Sequence, residues 1–265
     1  MEILFDLYLP LALAALLAGL VDAVVGGGGL IQVPALFSVF PNAAPAALFG
    51  TNKLAGIFGT AMAARSYAQR YPVDWGLVVP ASIAAMFGAF TGAWAVTVFP
   101  ADVLRKLLPF VLLLVAIYVF RRKQFGTVHA PILAGKGRRQ RAVTVGMAMG
   151  LYDGFFGPGT GSFLVFLFVQ WFGLDFLRAS AAAKIVNVVC NLSALAWFIP
   201  SGQPIWLLSI LMACCNIAGS MLGVSLALRR GAGFVRAVFL FVVAALIAKT
   251  SWDAFGPMAS VGLVG

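Results

Sequence analysis

GLVDAVVGGGG at residues 19–29 and GLYDGFFGPGT at residues 150–160 are the two stretches that decide the fold. They share the pattern G-L-x-D-x-x-x-G-x-G, in which an aspartate comes four residues before a run of glycines. Long apolar runs of the kind that form helices flank both stretches. Because glycine is a poor helix former, each stretch predicts a break inside a helical region.

The composition of the chain is that of a membrane protein. Of its 265 residues, 62% are apolar and only 10% are charged, and the mean hydropathy is +1.02. Soluble domains carry roughly 25% charged residues. Since each crossing of the bilayer takes ~20 mainly apolar residues, the chain has room for about eight to ten segments and for no soluble domain.

A displacement of 131 residues superposes the two stretches and extends the match beyond them. Without a gap it aligns Asp22 with Asp153 and Lys53 with Lys184, which are the aspartates and lysines deep in apolar runs. Overall sequence identity at this displacement is low, so the match rests on these rare residues. They predict an internal duplication. The same displacement also aligns Trp75 with Trp206, Gly88 with Gly219, Gly92 with Gly223, and Arg105 with Arg236.

The duplication divides the chain into a first transmembrane repeat at 1–120, a basic linker at 121–141 and a second transmembrane repeat at 142–265. The apolar runs after the breaks, 30–40 and 160–172, are too short for a full crossing. We therefore predict an all-α membrane protein of two inverted repeats, each a glycine-broken helical hairpin plus three transmembrane helices. The alternative treats each hairpin as one broken crossing, which gives eight segments in parallel halves.

The net charge of +10 comes mainly from one side of the predicted segments. Seven of the eighteen basic residues lie in 121–141, between apolar runs. If 65–75, 173–178 and 229–233 face the same side, thirteen basic residues lie there or at the adjoining helix ends, against three on the other side. The positive-inside rule makes this side cytoplasmic. Topology thus explains the charge better than contact with nucleic acid or anionic lipid does.

The glycine runs are the first candidate binding groups. Unwound backbone inside a membrane is tolerated only when it is buried in protein or lines a watery cavity. A helix that restarts there presents free N–H groups and the positive end of its dipole, which suit an anion. The alternative is that the glycines only permit close helix packing. The candidates are Gly27, Gly28 and Gly29 in the first half, and Gly159, Thr160 and Gly161 in the second.

Lys53 and Lys184 are the second set of candidates, because each lies deep within a predicted membrane helix. A charged side chain at mid-membrane costs roughly 2.5–3.5 kcal/mol on an insertion scale, so it needs a reason to be there. Lysine with asparagine and threonine suits an oxyanion; the alternative is an ion pair with Asp22 or Asp153. The polar neighbours along the two helices are Thr51 and Asn52 in the first half, and Asn187 and Asn191 in the second.

Asp22 and Asp153 admit three roles, and the sequence does not choose among them. They could bind and release protons, and so couple transport to a proton gradient. They could instead accept hydrogen bonds from the unwound backbone, or they could neutralise the lysines.

Three stretches together resemble the TauE/SafE family: GLVDAVVGGGGLIQVP at 19–34, ALFGTNKLAG at 47–56 and GLYDGFFGPGTGSF at 150–163. The resemblance covers essentially the whole chain. This family, also called the toluenesulfonate uptake permease family, is linked to export of sulfite and of sulfonates such as sulfoacetate. Membership implies a multi-pass protein of the bacterial inner membrane. In the second half, Ala182-Ala183-Lys184 replaces the triplet Thr51-Asn52-Lys53, so the two half-sites are chemically unequal.

These observations favour a secondary transporter, with export as the expected direction, that binds a small sulfur oxyanion or sulfonate between the repeats near mid-membrane. An anion channel with the same lysines and glycines is the alternative. An enzyme is not expected: His129 is the only histidine and lies in the linker, and Ser162 has no evident base. We expect no catalytic residue, metal or cofactor. The expected partners are the substrate, protons and the lipid bilayer, while a homo-oligomer stays open.

Overall fold

The computed structural model describes residues 2–100, 103, 135–202 and 204–255, and this part of the chain is all-helical, as predicted. The predicted crossing at 104–120 lies outside the described residues. Four helices come from the first half: α1 (Glu2–Val25), α2 (Gly29–Val39), α3 (Pro45–Ala68) and α4 (Trp75–Val98). Four come from the second: α5 (Gly135–Phe155), α6 (Thr160–Phe172), α7 (Phe176–Gly202) and α8 (Trp206–Phe255).

Among the described residues, four stretches are long and apolar enough to cross a bilayer: Tyr8–Val25, Trp75–Val98, Phe176–Ser201 and Trp206–Gly231. Large apolar side chains such as Leu13 and Phe87 are exposed on the outside of the bundle, whereas lysines and asparagines are buried within it. This inverted distribution suits a protein whose surroundings are lipid. The prediction of a polytopic membrane protein is confirmed.

Both predicted breaks are present. Between α1 and α2, Gly26 has a φ of 82°; between α5 and α6, Gly157 and Gly159 each have a φ of 84°. Residues with a side chain rarely adopt this left-handed backbone, so glycine is needed at these turns. After the first break the chain folds back along α1, because Leu36 of α2 is buried in one cluster with Leu11 of α1.

One boundary differs from the sequence-based expectation. Helix α5 begins at Gly135, inside the predicted linker 121–141, so the end of that linker is helical. The predicted segments 205–228 and 234–250 both lie in α8, which consists of two helices that meet at a kink at Gly231, where φ is 74° and ψ is −171°. Glycine adopts this non-helical backbone readily, and the kink falls between the two predicted segments.

The aligned glycines Gly88 and Gly219 make equivalent contacts in the two halves. A Cβ on Gly88 would meet the backbone of Leu151 in α5, and a Cβ on Gly219 would meet that of Leu20 in α1. Leu20 and Leu151 are themselves aligned by the 131-residue displacement. The fourth helix of each half therefore packs closely on the first helix of the other, α4 on α5 and α8 on α1.

The third helices of the two halves, α3 and α7, pack against each other and run in opposite directions. Near the start of α3, Gly50 lies against Phe198, close to the end of α7. One turn later, Lys53 donates a hydrogen bond to Asn191, which lies earlier in α7. As α3 advances, its contacts therefore move backwards along α7. This central pair carries both membrane lysines.

The α4–α5 contact predicts that Gly154→Ala destabilises the protein. A Cβ at Gly154 would fall on the carbonyl oxygen of Ala89, and such overpacking costs about 1–3 kcal/mol. Gly137→Ala is the matched control, since a Cβ there meets no atom of the described residues within 4 Å and alanine favours the same helix. Thermal unfolding in detergent should give a lower midpoint for Gly154→Ala alone. Equal midpoints for the two variants would contradict this packing.

Candidate functional site

The two helix breaks touch each other at the centre of the protein. The carbonyl oxygen of Gly26 accepts a hydrogen bond from the Ser162 N–H at 3.0 Å. The Ser162 hydroxyl donates to the carbonyl oxygen of Val25 at 2.9 Å. A Cβ on either Gly26 or Gly161 would collide with the backbone of the other. Small residues at the breaks thus let two stretches of unwound backbone meet, and Ser162 has a structural role there.

Lys53 and Asp153 form the first of two buried ion pairs at this junction. Lys53 Nζ lies 2.5 Å from Asp153 Oδ2, and each side chain is only 3% exposed. The ammonium also donates to Asn191 Oδ1 at 3.2 Å. Asn191 in turn donates to Asn187 Oδ1 at 3.2 Å, so a chain of polar groups runs from the ion pair along α7.

Lys184 and Asp22 form the second ion pair, with Lys184 Nζ 2.9 Å from Asp22 Oδ2. Lys184 also donates to the main-chain oxygen of Asp22. The same carboxylate accepts from the Thr60 hydroxyl at 3.1 Å, and from the Gly28 N–H at 3.4 Å. Asp22 therefore fills two of its three predicted roles, since it neutralises a lysine and accepts a hydrogen bond from the unwound backbone.

The two ion pairs cross between the halves. Each lysine pairs with the aspartate of the other half, so Lys53 holds Asp153 and Lys184 holds Asp22. The ion-pair alternative for the lysines is thus part of the site. A buried pair adds little net stability compared with apolar side chains, yet removing one partner costs about 3–5 kcal/mol. The pairs therefore tie the halves together and hold two cations in the membrane interior.

A small cavity lies between the two breaks and the ion pairs, with about 40 Å³ of space for the centres of water molecules. Because one water needs roughly 10–15 Å³ on this measure, the space suits a few waters or one small anion. Most of the predicted binding residues line it: Gly28, Gly29, Asn52, Lys53, Gly159, Gly161, Asn187 and Asn191, together with Asp22 and Asp153.

The other predicted residues lie away from the cavity wall. The Thr51 hydroxyl donates to the carbonyl oxygen of Ala47 and accepts from the N–H of Ile205, so it joins α3 to the residue just before α8. The Thr160 hydroxyl donates to the carbonyl oxygen of Gly157 within the second break. Gly27 lies beside Ser162, and Lys184 lies behind Asp22.

The cavity also contains residues outside the predicted binding set, some of which belong to the glycine runs or to the Lys53 face of α3. Gln32, Thr60 and Asn216 supply polar side chains, and Gly26, Gly56 and Gly157 supply backbone. Gln32 and Asn216 are isolated amides in apolar helices, and an isolated polar residue in a membrane segment is a recognisable signal. Thr60 lies two helical turns beyond Lys53, on the same face of α3.

Two buried amides at this cavity each leave one atom without a protein partner among the described residues. These atoms are Nε2 of Gln32, a residue that is 2% exposed, and Oδ1 of Asn52. A buried polar group without a hydrogen bond costs about 1–3 kcal/mol. An amide offers both donors and acceptors. These two side chains therefore form an unsatisfied polar edge next to Lys53, ready to contact a polar ligand.

The buried Lys53–Asp153 pair generates a stability prediction. Lys53→Met leaves the Asp153 carboxylate buried without its cation, and we expect a loss of about 3–5 kcal/mol. The double variant Lys53→Met/Asp153→Leu should recover most of it, because no charge is then left unpaired. Arg138→Met is the control, since its ion pair with Asp74 is partly exposed and is worth at most about 1 kcal/mol. Unfolding in detergent measures all three, and a double variant as unstable as Lys53→Met would contradict the pairing.

The chain is similar to a known family and to several known proteins along nearly its whole length. Residues 11–250 match the family described as "Sulfite exporter TauE/SafE". The chain is 34% identical over 259 residues to "Probable membrane transporter protein ORF9" of Sinorhizobium sp, with 97% of each chain covered. It is 33% identical to "Probable membrane transporter protein YfcA" of Escherichia coli K12, over 91% of this chain and 88% of that one.

A "Probable membrane transporter protein" of Haemophilus influenzae is 30% identical, over 96% of this chain and 98% of that protein. No solved structure matches the chain significantly. The family match extends across both halves and therefore includes both breaks and both lysines. The chain belongs to the TauE/SafE sulfite exporter family and is a multi-pass membrane transporter.

Proposed function

We propose that this protein is a secondary transporter that exports a small anion through the cavity between the two helix breaks. The substrate is sulfite or an organosulfonate such as sulfoacetate. The family description names sulfite export, and the site chemistry supports the same class of ligand. Three oxygens on one sulfur atom accept several hydrogen bonds at once, which matches donors arriving from α2, α3 and the breaks.

The observation that carries the proposal is the unsatisfied polar edge formed by Gln32 and Asn52 beside Lys53. Gln32 Nε2 is a buried donor without a partner, and Lys53 brings a cation to the same cavity. Hydrogen bonds to an ionised group are roughly twice as strong as those between neutral groups. An anion in the cavity therefore accepts a hydrogen bond from Gln32 Nε2, a donor that is otherwise buried and unpaired, whereas the free Asn52 Oδ1 is an acceptor and suits a water molecule.

Inverted halves and a cytoplasmic basic side belong to this proposal. The antiparallel packing of α3 against α7 supports inversion, because these helices occupy equivalent places in the two repeats. An ion pair between Arg138 and Asp74 supports placing 65–75 and 121–141 on one side of the membrane. We assign that side to the cytoplasm and the membrane to the bacterial inner membrane. Inverted repeats that rock about a central site provide alternating access.

Binding of sulfur oxyanions provides the first test. Purified protein should be stabilised by sulfite, sulfoacetate or methanesulfonate in a thermal-shift panel that also contains carboxylates. Gln32→Ala should weaken the preferred ligand about 10–100-fold, because a charge-assisted hydrogen bond contributes about 1.5–3 kcal/mol. Gln170→Ala is the matched control, since Gln170 is exposed on α6. No stabilisation by any member of the panel overturns the proposed substrate class.

Counterflow separates a carrier from a channel. In proteoliposomes loaded with unlabelled substrate, a carrier should accelerate the entry of labelled substrate and its rate should saturate. This follows because a site with alternating access carries one ligand per cycle. Conductance without exchange would favour the channel, and liposomes containing the Gln32→Ala variant show how far either signal depends on the cavity.

A further inference from the structure

The described ionisable groups at the cavity sum to zero charge. Lys53 neutralises Asp153, and Lys184 neutralises Asp22. An anion that enters such a site adds a negative charge that no group offsets. In a buried environment an uncompensated charge costs several kcal/mol. The lysines alone therefore do not explain anion binding, since each is already paired.

We propose that the Lys53–Asp153 pair takes up one proton for each anion that binds. The Asp153 carboxylate accepts the proton, and the Lys53 ammonium then pairs with the anion instead of with Asp153. The inference rests on the proposed function, because it requires an anion in this cavity. It adds the coupling ion and assigns the proton to one aspartate.

The hydrogen bonds favour Asp153 over Asp22 as the proton acceptor. Asp22 accepts from three different groups, namely Lys184, Thr60 and the Gly28 N–H. Several donors stabilise the charged form of a carboxylate. Asp153 accepts from Lys53 alone among the described side chains, so its protonation sacrifices one contact. The Lys184–Asp22 ion pair then stays intact while the Lys53–Asp153 pair opens.

Lys53 is placed to exchange Asp153 for the anion as its ion-pair partner. Its ammonium lies at the cavity wall, next to the break at Gly157, and keeps a hydrogen bond to Asn191 when it leaves Asp153. The unsatisfied polar edge of Gln32 and Asn52 lines the same cavity. An anion bound by Lys53 and Gln32 replaces Asp153 as the counterion of the Lys53 ammonium.

The groups around Asp153 allow this exchange. Lys53 from α3 faces it, and the Cys190 thiol from α7 interacts electrostatically with both charges of the pair. Lys184, also on α7, is held by Asp22. Tyr152 on the same helix donates its hydroxyl proton to the carbonyl oxygen of Pro158. Helices α4 and α6 also pack on α5 and carry no titratable side chain.

The step is balanced in charge and in protons. One proton from the bulk solution forms an O–H bond on Asp153, and one anion enters beside the Lys53 ammonium. The cavity is neutral before and after if the anion carries one charge. Release of the anion reverses both events, so one proton crosses the membrane with each monoanion.

The pH dependence of binding tests the stoichiometry in the unmodified protein. Methanesulfonate is the probe, because a sulfonic acid stays ionised between about pH 5 and pH 8 and any proton uptake belongs to the protein. Uptake of one proton per anion makes the Kd about tenfold lower for each unit of falling pH. A pH indicator in weakly buffered solution should report the same proton directly. A Kd that does not change with pH overturns the exchange.

Two matched variants test the assignment. Asp153→Asn should bind methanesulfonate with a Kd independent of pH and without proton uptake. Asp22→Asn makes the same change at the aligned aspartate and should keep the tenfold dependence, whatever its affinity. Loss of the dependence in Asp22→Asn with its retention in Asp153→Asn overturns the assignment.

The two levels of the proposal fail in different ways. If methanesulfonate, sulfite and sulfoacetate all leave the unmodified protein unbound, the proposed function fails and the exchange fails with it. If one of them binds without proton uptake, the transporter proposal survives and only the exchange is overturned. The unmodified protein gives this answer even if Asp153→Asn does not fold.

Discussion

A cation buried in a membrane protein needs an anionic partner, and here each lysine finds that partner in the other half of the chain. Lys53 reaches Asp153 and Lys184 reaches Asp22. Either half alone would keep one lysine and one aspartate without the partner that each has here, and removing the partner of a buried charge is costly. The halves therefore depend on each other electrostatically. The cavity lies where it does because the crossed pairs bring the two breaks together.

Packing by small residues makes those ion pairs geometrically possible. Gly26 and Gly161 allow the breaks to touch, while Gly88 and Gly219 bring the fourth helix of each half close to the first helix of the other. In lipid the hydrophobic effect does not drive helices together. Close van der Waals contact has to stabilise their association instead. The glycines thus serve both roles that the sequence left open, as packing residues and as backbone of the site.

Sequence reasoning found the breaks and the lysines because charges and glycine runs are rare in apolar helices. It did not find the crossed pairing, since an internal alignment shows which residues are equivalent and not which ones touch. Thr51 was misplaced for a helical reason: residues two apart point to different faces, so Thr51 faces α8 while Lys53 faces the cavity. Gln32 was missed because one amide in a short apolar helix carries no periodic pattern.

The two residues before each lysine differ between the halves, and this has a consequence for how such a protein can evolve. In a homodimer of one repeat, every substitution would appear twice, so the two sides of the cavity could not diverge. Fusion into one chain removes that constraint. Thr51-Asn52 in one half and Ala182-Ala183 in the other can then be selected separately. A ligand can then be bound mainly by residues of one half, while residues of the other half only close the cavity.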